Sequence, residues 1–102
     1  MLIEKIIPCE ARYTEIEQML TLPDVVADAK KYTALIKEYN SLSPLVTKFR
    51  EYKSVSEASK EAFQLKDDPS LDRDFRELAE EEYNQSLIDL KRLEEELKIL
   101  LI

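Results

Sequence analysis

The sequence predicts an all-α fold, an antiparallel three-helix bundle dominated by a long helical hairpin. Three observations predict it. Apolar residues recur at steps of three and four along most of the chain, the spacing that lines one face of a helix. Glycine is absent from all 102 residues, so the two-residue turns that close β-hairpins have no residue suited to them. Two of the four prolines, Pro23 and Pro69, stand at the heads of periodic stretches. A missing N–H costs a helix nothing there.

The first helix is expected over about Leu2 to Leu20, with Ile3, Ile6, Ile7, Tyr13, Ile16, Met19 and Leu20 as its apolar set. Pro8 falls within the first two turns and leaves open a start after it. Thr21-Leu22-Pro23-Asp24 then reads as a turn, with Asp24 placed where the helix dipole favours a carboxylate.

The second helix is expected from about Asp24 to Lys66. Its period runs through Val25, Val26, Ala29, Tyr32, Leu35, Tyr39, Leu42, Phe49, Tyr52 and Ala62, with one interruption at Ser41-Leu42-Ser43-Pro44. Either Pro44 kinks one long helix, or Ser43 caps a fresh one. The kinked long helix is favoured, because the apolar spacing passes from Leu42 to Leu45 and Phe49 without a change of phase.

The third helix is expected over residues 69–101, with Asp68 as its cap and Pro69 at its first position. Leu71, Phe75, Leu78, Tyr83, Leu87, Leu90, Leu93, Leu97 and Leu100 form its apolar series. Asp72 with Arg76 and Glu94 with Lys98 have the better i,i+4 order, worth about 0.2–0.5 kcal/mol each. Such a helix is about 50 Å long, longer than a small domain is wide, so it needs an equally long antiparallel neighbour. Only the second helix has that length. Residues 1–102 are therefore read as one helical domain.

Composition excludes much chemistry. Without glycine there is no phosphate-cradling loop or dinucleotide fingerprint. Histidine is also absent, which removes the commonest general base and metal ligand. The lone Cys9 has no partner for an intramolecular disulfide and suits a reducing compartment. No apolar run approaches 18 residues, and Met1-Leu2-Ile3-Glu4-Lys5 has no signal-peptide core. The expected location is cytoplasmic.

The net charge of −7 is unevenly placed. Met1 to Lys66 holds ten acids and ten bases, whereas Asp67 onward holds twelve acids and five bases. An acidic helix repels phosphate, so the third helix is not expected on DNA or RNA.

The acidic triplets Glu80-Glu81-Glu82 and Glu94-Glu95-Glu96 do not read as a metal site, because consecutive helical residues point about 100° apart. Cys9 has no histidine to activate it. Ser41, Ser43, Ser54, Ser56 and Ser59 lack a glycine elbow and fit caps and surface. The tyrosines at 13, 32, 39, 52 and 83 fit core or core-edge packing with the hydroxyl reaching water. No catalytic, cofactor-binding or metal-binding residue is predicted. The positive feature is a basic strip, Lys30, Lys31 and Lys37, continued by Lys48, Arg50 and Lys53. A solvated face explains such a strip most simply. The sharper reading is a surface that docks an acidic protein or an RNA backbone.

Four stretches, taken in order, resemble the amino-terminal domain of bacterial class-1 peptide chain release factors, nearest the type that reads UAA and UAG. They are Glu10-Ala11-Arg12-Tyr13-Thr14-Glu15-Ile16; Leu22-Pro23-Asp24-Val25-Val26-Ala27-Asp28; Leu35-Ile36-Lys37-Glu38-Tyr39 with Leu42, Phe49 and Tyr52; and Asp67-Asp68-Pro69 with Leu93-Glu94-Glu95-Glu96-Leu97-Lys98-Ile99-Leu100-Leu101. The family often has aspartate where Leu22 stands. The resemblance covers essentially the whole chain. It implies a protein that terminates translation, whose codon-reading tripeptide and Gly-Gly-Gln loop lie in later domains absent from this chain. Pro44-Leu45-Val46-Thr47 is not that tripeptide. The implied role is docking near the base of the ribosomal large-subunit stalk, with Lys30, Lys31 and Lys37 as the residues chosen for the contact.

The uncapped apolar end, Ile99-Leu100-Leu101-Ile102, reads as the edge of a longer protein and as a surface for self-association. A free-standing helical adaptor that binds through an apolar groove is the other reading. A carboxylate-only enzyme is disfavoured, because the carboxylates do not converge.

Overall fold

A computed structural model describes all 102 residues and contains only helices. They are α1 (Leu2–Met19), α2 (Pro23–Val26), α3 (Ala29–Leu65) and α4 (Arg73–Leu100). The expected all-α class and the long α3–α4 hairpin are present, with α1 packed on α3. The chain divides into two compact units, Met1–Phe49 with Leu100–Ile102, and Arg50–Ile99.

In the first unit, α1 includes Pro8 and begins before it, at Leu2. Without glycine the chain leaves α1 with no positive φ anywhere. It closes the turn by backbone bonds three apart, from the Thr21 N–H to Gln18 (3.2 Å) and the Leu22 N–H to Met19 (3.1 Å). The Thr21 hydroxyl donates to Gln18 as well, at 2.7 Å. These bonds satisfy carbonyls that the helix end would otherwise leave bare.

The expected second helix is split. Leu22 is extended, Pro23 opens the four-residue α2, and the chain restarts at Ala29 rather than Asp24. Asp28 causes the restart. Its Oδ1 accepts from the Lys31 N–H at 3.1 Å, the bond of an N-cap to the third helical residue. The break lets Val25 turn inward, where it is buried with Ile16 and Leu35 beneath Met19, Leu20, Tyr39 and Leu42. Val26, which shared its period, is left exposed.

From Ala29 the helix is continuous to Leu65 with Pro44 inside it. Ser43 starts no new helix. Pro44 has no N–H to offer the carbonyl four residues earlier, so the loss is confined to one backbone bond. Leu45, Val46 and Phe49, next along α3, are buried.

In the second unit the C-terminal part of α3 runs antiparallel to α4. Cross-pairs fix the register: Tyr52 with Glu94 (3.4 Å), Ser59 with Ser86 (2.8 Å), and the rings of Phe63 and Tyr83 (5.2 Å between centroids). The buried residues of α4 are Ala79, Ser86, Leu93 and Leu97. Tyr83 and Leu90, half-buried, complete a strict alternation of threes and fours, the narrow seam of a coiled coil. The wider apolar series expected from the sequence is only partly inside. Phe75, Leu78, Leu87 and Leu100 are exposed.

The start of α4 also differs. Pro69 lies outside the helix, and Asp68 instead holds the connecting loop, accepting from the Ser70 N–H (2.9 Å) and hydroxyl (2.7 Å). The cap is Asp72, whose Oδ1 accepts from the Phe75 N–H at 2.9 Å. The expected pair of Asp72 with Arg76 does not form; Asp72 caps the helix instead. Arg73 bonds Glu77 and Arg92 bonds Glu96 at i,i+4, while Lys98 turns to Glu95 rather than Glu94.

Leu93 is fully buried, so Leu93→Ala should cost about 2–5 kcal/mol. Leu87→Ala, on an exposed residue of the same helix, should stay within about 0.5 kcal/mol of wild type. Urea denaturation of the two variants measures the contrast, and equal midpoints would contradict the seam assignment.

Candidate docking surfaces

In the first unit an ion-pair clamp joins α1 to α3 at the edge of the buried core. Arg12 grips Glu38 with two parallel bonds, Nε to Oε2 at 2.7 Å and Nη2 to Oε1 at 2.8 Å, and also bonds Glu15. A planar guanidinium facing a carboxylate in this way is geometrically selective. The Arg12 hydrogen bonds hold the Glu38 carboxyl below the usual carboxylate range. Beside the clamp, Tyr13 stacks on Tyr39 with centroids 4.2 Å apart and planes at 14°. The Tyr39 hydroxyl is pushed up to about 12 by its hydrogen bond with Tyr13, by burial and by the nearby Glu17.

This clamp positions the start of α3, where the sequence places Lys30, Lys31 and Lys37. All three side chains are exposed. Lys30 and Lys37 are seven residues apart and so share a face, offset by about 20°. With Ala29, Thr33 and Ala34 they line a shallow, open concavity of about 480 Å³. Lys31 points about 100° away and does not line it. The structure therefore joins two of the three expected lysines. Lys48, further along, is half-buried.

The other candidate groups are dispersed. Glu80, Glu81 and Glu82 are exposed around α4. In the second triplet Glu94 accepts from Tyr52, Glu95 pairs with Lys98 and Glu96 with Arg92. Burial is the main influence raising the Tyr52 hydroxyl, followed by Glu94. The Cys9 thiol donates to the Lys5 carbonyl of its own helix at 3.6 Å. Ser41 bonds the Glu38 carbonyl, and Ser59 is buried against Ser86. No group of three His, Cys, Asp or Glu side chains is arranged to hold a metal ion. No helix is long and apolar enough to cross a membrane.

A surface that spacing alone did not single out is the groove along one side of the α3–α4 hairpin. Ser54, Val55 and Ala58 form its α3 wall, and Glu82, Gln85, Ser86 and Asp89 its α4 wall. The spacing 82, 85, 89 is visible in the sequence, but the facing wall depends on the register.

The model of the PCRF domain matches residues 9–102. The chain belongs to the PCRF domain family. Curated relatives of this PCRF domain agree. Peptide chain release factor 1 of Caldicellulosiruptor saccharolyticus is 40% identical over 101 residues, and that of Nitratiruptor sp. is 42% identical over 102. The protein of the same name from Clostridioides difficile is 38% identical over 101 residues. The match takes in 99–100% of this chain but 28% of each relative's length, and it falls in their N-terminal part. No solved structure matches the chain significantly.

The clamp of this PCRF domain predicts an acid sensitivity. Glu38 has a lowered folded-state pKa, so its contribution is present above its ordinary value of 4.5 and is lost as pH falls through the folded value. Glu38→Gln should lower stability at pH 6 and lose less on going to pH 3 than wild type does. Urea midpoints at the two pH values test this, and parallel losses would contradict it.

Proposed function

We infer that this chain is the N-terminal, non-catalytic domain of a cytoplasmic factor that terminates translation at UAA and UAG codons. Its part is to dock that factor near the base of the large-subunit stalk. The observation that carries this reading is the PCRF match over residues 9–102, joined to relatives of about 40% identity that bear the name peptide chain release factor 1. Peptide release and codon reading belong to parts of the factor outside this chain.

Lys30 and Lys37 are the docking residues, with Lys31 on the adjoining face. They are exposed, free of carboxylate partners within the chain, and held on a helix that the Arg12–Glu38 clamp orients. Ammonium groups in this setting suit a phosphate backbone or an acidic protein surface. Ile99 and Ile102, at 68% and 104% relative exposure, supply an apolar end for self-association at high concentration.

In a peptide-release assay, excess chain should compete with an intact release factor 1 and release no peptide itself. Lys30→Glu with Lys37→Glu should weaken the competition by roughly tenfold, in keeping with charge steering. Undiminished competition by the double variant would remove the lysines from the contact. Absence of competition by the wild-type chain would overturn the docking role.

A further inference from the structure

The open groove lined by Ser54, Val55, Ala58, Glu82, Gln85, Ser86 and Asp89 has a volume of about 330 Å³. Its chemistry is one-sided. Val55 and Ala58 make an apolar floor, and Glu82 and Asp89 stand seven residues apart on the rim, about 10.5 Å along α4. No cation lines it. Asp89 accepts only from the Gln85 amide, at 3.1 Å, and Glu82 has no ion pair.

The same face continues in both directions. Leu78, 51% exposed, lies one turn before Glu82, and Glu61 lies one turn beyond Ala58. Arg92, one turn past Asp89, bonds Glu96 and feels the Asp89 charge more weakly, which leaves Glu82 as the rim carboxylate with no cation beside it. The opposite groove, with Phe63, Tyr83 and Leu87, is more apolar but has Lys60 on its rim, so charge names no occupant for it.

We propose that the acidic groove docks a basic amphipathic helix from a protein partner. Apolar side chains of that helix seat on Val55, Ala58 and Leu78, while its lysines or arginines reach Glu82, Asp89 and Glu61. This is helix-in-groove recognition, read by anchors spaced i, i+3, i+4 and i+7. Charge complementarity selects the occupant: the acidic rim repels nucleic acid and anionic lipid, and an acidic peptide would leave like charges facing each other. The proposal does not depend on the docking role of Lys30 and Lys37.

The test uses the whole chain and a synthetic helix of about 20 residues, with leucines at i, i+3, i+4 and i+7 and lysines elsewhere. A scrambled version of equal charge and a glutamate version are the comparison probes. The lysine helix should bind wild type more tightly than either, and Glu82→Lys with Asp89→Lys should weaken it by roughly tenfold or more. Glu81→Lys with Glu95→Lys makes the same change in net charge outside the groove and should leave affinity within about threefold. Equal weakening by both double variants, or equal binding of the scrambled helix, would reduce the effect to bulk charge and overturn the proposal. So would absence of binding. If the groove variant loses helicity by circular dichroism, Ala58→Arg, which fills the exposed floor, decides by the same criterion.

Discussion

Tertiary structure in the second unit depends on a seam little more than one side chain wide. Two paired helices can bury only the residues that face each other, so α4 commits Ala79, Ser86, Leu93 and Leu97 to the interior and leaves several larger apolar residues outside. A buried hydroxyl pair sits within that seam. Ser86 gives its single proton to the Tyr83 carbonyl at 2.6 Å, so Ser59 donates across the 2.8 Å gap to Ser86. Both hydroxyls are thereby satisfied, and a shifted register would leave Ser59 without that acceptor. The seam's narrowness is also what leaves a groove on each side of the hairpin.

The first unit uses a different device. Its core buries Ile6, Ile16, Val25, Leu35, Val46 and Phe49, and directional contacts supplement it: the bidentate Arg12–Glu38 pair and the Tyr13–Tyr39 stack. These set α1 against the N-terminal part of α3, the segment that presents Lys30 and Lys37. The α1–α3 packing thus supports the proposed contact residues without taking up their charges.

Much of the fold was legible because a glycine-free chain with threefold and fourfold apolar steps has few alternatives to helix. Where the reading missed, a local polar bond outweighed the period. Asp28 breaks the helix expected from Asp24, although Val25, Val26, Ala29 and Tyr32 keep their spacing across the break. Asp72 caps α4 in place of the equally plausible Asp68-Pro69, because Asp68 is engaged by Ser70 in the loop. Phe75, Leu78 and Leu87 fit the same apolar series as the buried residues because steps of three and four admit neighbouring stripes; only the partner helix decides which stripe is covered. The lysines were visible as a cluster, yet their separation by seven and by one residue already divides them between faces. The acidic groove was not legible, since half of its lining belongs to a helix whose register no local pattern fixes.

Cross-linking this chain to purified large ribosomal subunits, followed by mapping of the linked peptides and nucleotides, tests the central claim most directly. Photoreactive groups at Lys30 and Lys37 should mark the base of the stalk, and the same group at Glu81 should mark it far less. Links scattered over the subunit, or concentrated at another location, would contradict a docking domain at that site.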